Sequence, residues 1–275
     1  MTNARPIGVF DSGVGGLSVW RELARQLPGE DTLYFADQAH IPYGPRPLEH
    51  IREFSEAIAR FLLDRECKAI VVACNTASAA ALQHLRRTFP DVPFVGMEPA
   101  VKPAAQSTQT RVVGVLATPA TFQGALFASV VERFANGVQL VNQVCPGLVE
   151  QIEAGHLDGP ETDALLRGYL QPILAANADT IVLACTHYPF VIDAIRRIAG
   201  PGVSVIDPSP AIARQTGRVL AERELSAPAP RLGQHAFYTS DVRDSFQSVL
   251  GRLAGIDDRV KTAMWSDDQS LLEVS

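Results

Sequence analysis

The chain has 275 residues, 47% of them hydrophobic, a formal net charge of −6 and a pI near 5.5. That is enough apolar material for a substantial core, and the acidic balance argues against nucleic acid or an anionic membrane as partner. No run of about 18 apolar residues marks a membrane span, and the N-terminus lacks a signal peptide's apolar segment. The expected setting is the cytoplasm, with Cys67, Cys74, Cys145 and Cys185 reduced and no C-x-x-C pair for zinc or redox work.

The first predicted strand, Ile7–Phe10, runs into the glycine loop Asp11-Ser12-Gly13-Val14-Gly15-Gly16. A helix follows, with Leu17, Trp20, Ala24 and Leu27 on one face. The loop's N–H groups could hold a carboxylate or phosphate. It is neither G-x-G-x-x-G nor a P-loop, so nucleotide binding has weak support. Asp11 at its mouth would repel phosphate, and could instead receive a substrate ammonium or assist a thiol. Tyr34-Phe35-Ala36 reads as a strand, and the loop after it reaches a tight turn at Pro42-Tyr43-Gly44. Ile51, Phe54, Ile58 and Phe61 mark the next helix.

The strand Ala69–Ala73 ends on Cys74-Asn75-Thr76, with a helical stretch at Ala77–Leu85 behind it. Strands follow at Phe94–Val95 and Val112–Leu116, then a helix carrying Leu166, Tyr169, Leu170, Ile173 and Leu174. The strand Thr180–Ala184 ends on Cys185-Thr186-His187, with a helix at Phe190–Ala199 and a last strand at Val203–Ile206. Short apolar runs alternating with amphipathic helices predict an α/β fold, doubly wound, with mainly parallel sheets. Ligands in such folds sit beyond the carboxyl ends of the strands.

The chain repeats itself. Ala-Ile-Val-Val-Ala-Cys74 resembles Thr-Ile-Val-Leu-Ala-Cys185 at an offset of 111 residues, and Ile7-Gly-Val-Phe resembles Val113-Gly-Val-Leu at 106. The repeat predicts two pseudo-symmetric lobes with an active site between them. Joints at Glu98-Pro99 and Asp207-Pro208 would divide them into 1–98 plus 208–265 and 99–207. Residues 266–275 have no evident partner and are expected to form a fraying tail.

Cys74 and Cys185 are thus matched thiols at strand ends, each expected to meet a helix N-terminus that favours the thiolate. Cys67 and Cys145 read as small buried hydrophobes. His187, two residues after Cys185, could relay a proton. Inverting an α-carbon needs a base on one face and an acid on the other, and two like groups from two like lobes supply that symmetry. Pyridoxal phosphate would need a Schiff-base lysine. The only lysines, Lys68, Lys102 and Lys261, lie outside the glycine loop and the strand ends. The expected reaction is therefore cofactor-free and metal-free proton transfer. Ser12, Asn75, Thr76 and Thr186 are of the right type to stabilise the carbanion.

The motifs Gly8-Val-Phe-Asp-Ser-Gly-Val-Gly-Gly-Leu17, Tyr34-Phe-Ala-Asp37, Pro42-Tyr43-Gly44, Ala73-Cys-Asn-Thr-Ala-Ser78, Cys145-Pro-Gly-Leu-Val149 and Ala184-Cys-Thr-His-Tyr-Pro189 resemble those of the glutamate racemases, in the aspartate/glutamate racemase family. The match runs to about Pro210 and is loose beyond Glu222. The resemblance implies interconversion of L- and D-glutamate for peptidoglycan, and hence cell shape. It implies that Cys74 takes the α-proton of D-glutamate with help from Asp11. Cys185 would take that of L-glutamate with help from His187, and Glu153, eight residues after Cys145, falls where the family has an assisting carboxylate. It implies substrate contacts from Asp11, Ser12, Tyr43, Gly44, Asn75, Thr76, Thr186 and His187, with Thr118 and Thr121 as weaker candidates. The partner would be the small-molecule substrate, and a homodimer is one assembly the resemblance admits. A racemase for aspartate, or a non-enzymatic anion-binding protein, is the alternative.

Overall fold

The apolar runs do form strands. The structure, a computed structural model, describes residues 3–228, 230–241, 243–256, 260–266 and 271–274. In chain order the strands are β1 (Ile7–Asp11), β2 (Thr32–Ala36), β3 (Ala69–Val72), β4 (Phe94–Gly96), β5 (Val112–Ala117), β6 (Gln139–Val144), β7 (Thr180–Ala184), β8 (Ser204–Ile206), β9 (His235–Thr239), β10 (Val260–Trp265) and β11 (Leu271–Val274). The helices are α1 (Leu17–Gln26), α2 (Leu48–Leu63), α3 (Asn75–Thr88), α4 (Val101–Ser107), α5 (Pro119–Gln123), α6 (Ala125–Phe134), α7 (Leu148–Glu153), α8 (Pro160–Ala175), α9 (Ile192–Ala199), α10 (Ser209–Glu222) and α11 (Arg243–Ala254).

Two sheets result, ordered β11-β10-β9-β2-β1-β3-β4 and β6-β5-β7-β8. Every pairing is parallel except β10 with β11. The segment β2-β1-β3-β4 repeats the order of β6-β5-β7-β8, so the duplicated sequence is a duplicated topology with β3 and β7 as counterparts. In each lobe the chain leaves β1 or β5 toward one neighbour and returns on its other side. This opens a crevice at the strands' carboxyl ends.

Alternation along the strands feeds two layers of helix. Leu33 and Phe35 of β2 pack with Ile51, Phe54 and Leu82 of α2 and α3. Tyr34 faces the other way, with Leu17, Trp20 and Leu220 of α1 and α10. That second cluster continues without a break into the other lobe, reaching Leu166, Ile173, Ile181 and Ile195. The lobes therefore share apolar core as well as a crevice. Among the described residues no helix is long and apolar enough to cross a membrane.

Two expectations need correction. The stretch 266–275 is not a partnerless tail, because Leu271–Val274 forms β11 and pairs antiparallel with β10. It covers an edge whose N–H and C=O groups would otherwise stand open. Residues 267–270 and 275 lie outside the described residues. Secondly, Cys74 is followed at once by α3, but Cys185 is not followed by an α-helix. A 3-10 turn spans Tyr188–Val191, and α9 begins only at Ile192. Pro189 has no N–H to donate to the Cys185 carbonyl, so Tyr188 bonds it instead at 3.2 Å in the tighter pattern.

Candidate active site

The crevice holds a cavity of about 210 Å³ walled by both lobes. Cys74 and Cys185 both line it, as do Ser12, Tyr43, Gly44, Asn75, Thr76, Thr186 and His187. Asp11 and Glu153 do not; Asp11 stands behind Cys74 and Glu153 behind His187. Thr118, Cys145, Glu150 and Tyr188 also line it. Thr121 is not among the wall residues, but its hydroxyl meets that of Thr118 at 3.0 Å. Among the described residues no lysine or arginine lines the cavity.

Each thiol has its own proton partner, and the two differ. Cys74 is the N-cap of α3, in extended conformation, with Sγ accepting the Ala77 N–H at 3.4 Å. Burial and the neighbouring Asp11 carboxylate push its pKa well above the ordinary value, and the Ala77 N–H only partly offsets them. The helix end therefore does not make Cys74 a resting thiolate, contrary to expectation, and it keeps its proton beside Asp11. Burial likewise raises Asp11, against the opposing pull of His187 and the Cys74 thiol.

Cys185 has His187 instead, with Nδ1 3.8 Å from Sγ. The other ring nitrogen, Nε2, meets Glu153 Oε1 at 2.6 Å. Burial disfavours a charge on His187, but Cys185 and Glu153 together carry its pKa well above the ordinary value. The two halves thus differ: Cys74 is a thiol held protonated beside a carboxyl group, and Cys185 is a thiol beside an imidazole–carboxylate pair.

The glycine loop holds carboxylates of both halves. Two of its N–H groups bond the protein's own side chains: Val14 donates to Glu153 Oε1 at 2.8 Å and Gly16 to Asp11 Oδ2 at 2.6 Å. Tyr34 clamps the loop by donating to the Gly13 carbonyl at 2.8 Å. Gly15 is required by proximity, since a Cβ there would stand 2.6 Å from Cε1 of His187. Gly15→Ala is expected to displace the ring and lower turnover about 10²-fold, as misplacements near 1 Å do. Thermal unfolding should show an overpacking loss of about 1–3 kcal/mol. Near-normal kinetics in this variant would show that the ring's position is not critical.

The remaining wall is largely apolar, with a few polar groups set into it. Both side-chain atoms of Asn75, Oδ1 and Nδ2, are buried without a partner, an arrangement that awaits a ligand with both donor and acceptor groups. Thr76 and Thr118 bridge the lobes by a 2.8 Å hydroxyl contact. Tyr43 presents its ring and backbone only, because its hydroxyl donates to Asp37 Oδ2 at 2.6 Å. Cys145, expected as plain core, is a wall residue whose thiol burial pushes up to about 12, so it stays S–H. Its place directly after β6 was the available signal, hidden because β6 did not read as a strand.

The profile of the Asp/Glu/Hydantoin racemase family matches residues 7–216. A glutamate racemase of Roseiflexus sp. (strain RS-1) is 52% identical over 267 residues, 97% of this chain and 98% of that protein. The crystal structure of the Francisella tularensis glutamate racemase in complex with D-glutamate superposes with a TM-score of 0.84 at 32% identity, covering 96% of this chain and 99% of that one. That of the Escherichia coli glutamate racemase, in complex with L-glutamate and the activator UDP-MurNAc-ala, gives 0.82 at 33%, covering 98% and 100%.

Proposed function

This chain belongs to the Asp/Glu/Hydantoin racemase family, and on that premise we propose that it interconverts L- and D-glutamate by a cofactor-free two-base reaction at Cys74 and Cys185. The observation that carries the reading is the placement of both thiols, from counterpart strand ends, in one cavity, each backed by a different buried proton partner. The Cys185 thiolate removes the α-proton of L-glutamate. The C–H electron pair passes to the α-carbon and its carboxylate, and the S–H of Cys74 delivers a proton to the opposite face. That step leaves Cys74 as the thiolate beside Asp11 and Cys185 as S–H beside His187, and the reverse reaction starts from this state. The Cys74 thiolate removes the α-proton of D-glutamate, the S–H of Cys185 protonates the carbanion on the other face, and His187 stabilises the Cys185 thiolate left behind.

Asn75 can pair with the substrate through both of its free atoms, and the hydroxyls of Ser12, Thr76 and Thr118 supply further donors. A Schiff-base cofactor has no anchor at this site. No lysine lines the cavity, and Lys68 is buried against Glu30 at 2.5 Å. Glutamate rather than aspartate is supported by the relatives, two of which hold its opposite enantiomers. We take the lobes to divide at 98/99 and 207/208, and the product D-glutamate to serve cytoplasmic peptidoglycan synthesis.

The test is incubation with L-glutamate in D2O without added cofactor. The expected result is deuterium at the α-carbon together with loss of optical rotation, and much slower exchange with aspartate. Binding of glutamate without exchange would overturn the reading in favour of an anion-binding protein.

A further inference from the structure

The second-half relay does not end at Glu153. Thr239 closes β9 and is fully buried. Its hydroxyl donates to Gln38 Oε1 at 3.0 Å, and Gln38 Nε2 donates in turn to Glu153 Oε2 at 3.3 Å. The orientation of the amide follows from its neighbours. A carboxylate can only accept, so the amide N–H faces Glu153. Thr239 Oγ1 accepts the Asp241 N–H at 3.3 Å, which leaves its own proton for Gln38. The terminal torsion of a glutamate is broad when unrestrained. Here one oxygen of Glu153 is fixed by Val14 and His187, and the other by Gln38.

We propose that Gln38 is a positioning residue for the proton relay at Cys185, carrying the fixed orientation of Thr239 through Glu153 to His187. This rests on the roles proposed above for Cys185 and His187. The anchoring strand β9 lies beyond residue 216, where the family match stops, and belongs to the sheet of the opposite lobe. The relay of one thiol is therefore set by the lobe that carries the other. Neither Gln38 nor Thr239 lines the cavity, so their effect must pass through Glu153. The ionisable groups facing His187 are Cys185, Glu153 and, across the glycine loop, Asp11.

Gln38→Met removes the donor at similar length, and Thr239→Val removes only the anchor. Two readouts on the full chain separate positioning from a purely structural role. In an NMR titration of His187, both variants should lose the imidazole proton at lower pH than the unsubstituted chain, Gln38→Met more so. In kinetics, the equilibrium between enantiomers is one, so kcat/KM must fall by the same factor in both directions. That factor is about three- to tenfold for Gln38→Met, the lower part of the range for a hydrogen bond to a charge. The α-deuterium isotope effect should rise with L-glutamate and fall with D-glutamate, because only the step at Cys185 has slowed. Unchanged His187 titration and isotope effects in both variants, in a chain that racemises glutamate, would overturn the proposal. A chain that racemises nothing, yet shows the His187 shift in Gln38→Met, would sink the proposed function and support the positioning role.

Discussion

Cys74→Ser and Cys185→Ser are each expected to lower racemisation on the order of 10³- to 10⁴-fold, the upper part of the range for a positioned acid or base. The substitution is close in shape, so the buried site should survive it. A serine hydroxyl is too weak an acid to take over a thiol's proton transfer in either place. The two variants should not fail alike. With Cys74→Ser, Cys185 can still remove the α-proton of L-glutamate, but nothing delivers a proton to the other face. In D2O the Cys185 thiol exchanges and returns deuterium to the same face. L-Glutamate should thus gain deuterium without inversion, while D-glutamate stays protonated. Cys185→Ser should show the mirror image, exchange of D-glutamate alone. NMR of the α-proton together with chiral chromatography reads both outcomes. Exchange of both enantiomers in either variant would show that one group serves both faces, which sinks the two-base mechanism.

Those two thiols were legible in the sequence for a definite reason. Strands β1, β3, β4 and β7 are buried along their whole length, so they read as uninterrupted apolar runs. The repeat then matched their ends. The rest of the sheet framework was less visible. β6, Gln-Leu-Val-Asn-Gln-Val, lies at a sheet edge and is only partly buried, so its polar residues broke the pattern and hid the position of Cys145. β10 and β11 lie beyond the motifs, and β11 completes an edge that only the folded sheet reveals. The site's electrostatics were harder still. Helix position suggested a lowered thiol pKa at Cys74, but the burial of the same residue outweighs one N–H at 3.4 Å. The Val14–Glu153 contact joins residues 139 apart in the chain. Nothing in the local sequence of the glycine loop says that two of its N–H groups hold the protein's own carboxylates.

That contact makes Glu153→Gln the most informative change outside the thiols. Glu153 supplies the negative charge that, with Cys185, overcomes the burial penalty on a charged His187. Glutamine keeps the shape, and its Oε1 can still accept the Val14 N–H, but the charge is gone. Removing an anion beside a group that becomes cationic lowers its affinity for the proton, so His187 must deprotonate at lower pH than in the unsubstituted chain. The active state needs one proton shared between Cys185 and His187, and activity is lost on the alkaline side when that proton leaves. The alkaline limb of kcat/KM should therefore move toward acid, with a loss of roughly 10²-fold at the alkaline end of the profile, the scale of a disabled acid–base partner. The acid limb should move the same way but less. Asp11 is raised chiefly by its own burial, and the Glu153 charge adds a small further rise. Both enantiomers must show the same displaced profile, since their kcat/KM values are tied by an equilibrium constant of one. An alkaline limb that stays in place, or moves upward, would mean that His187 does not carry the proton whose loss ends activity, and Cys185 would then need a different partner.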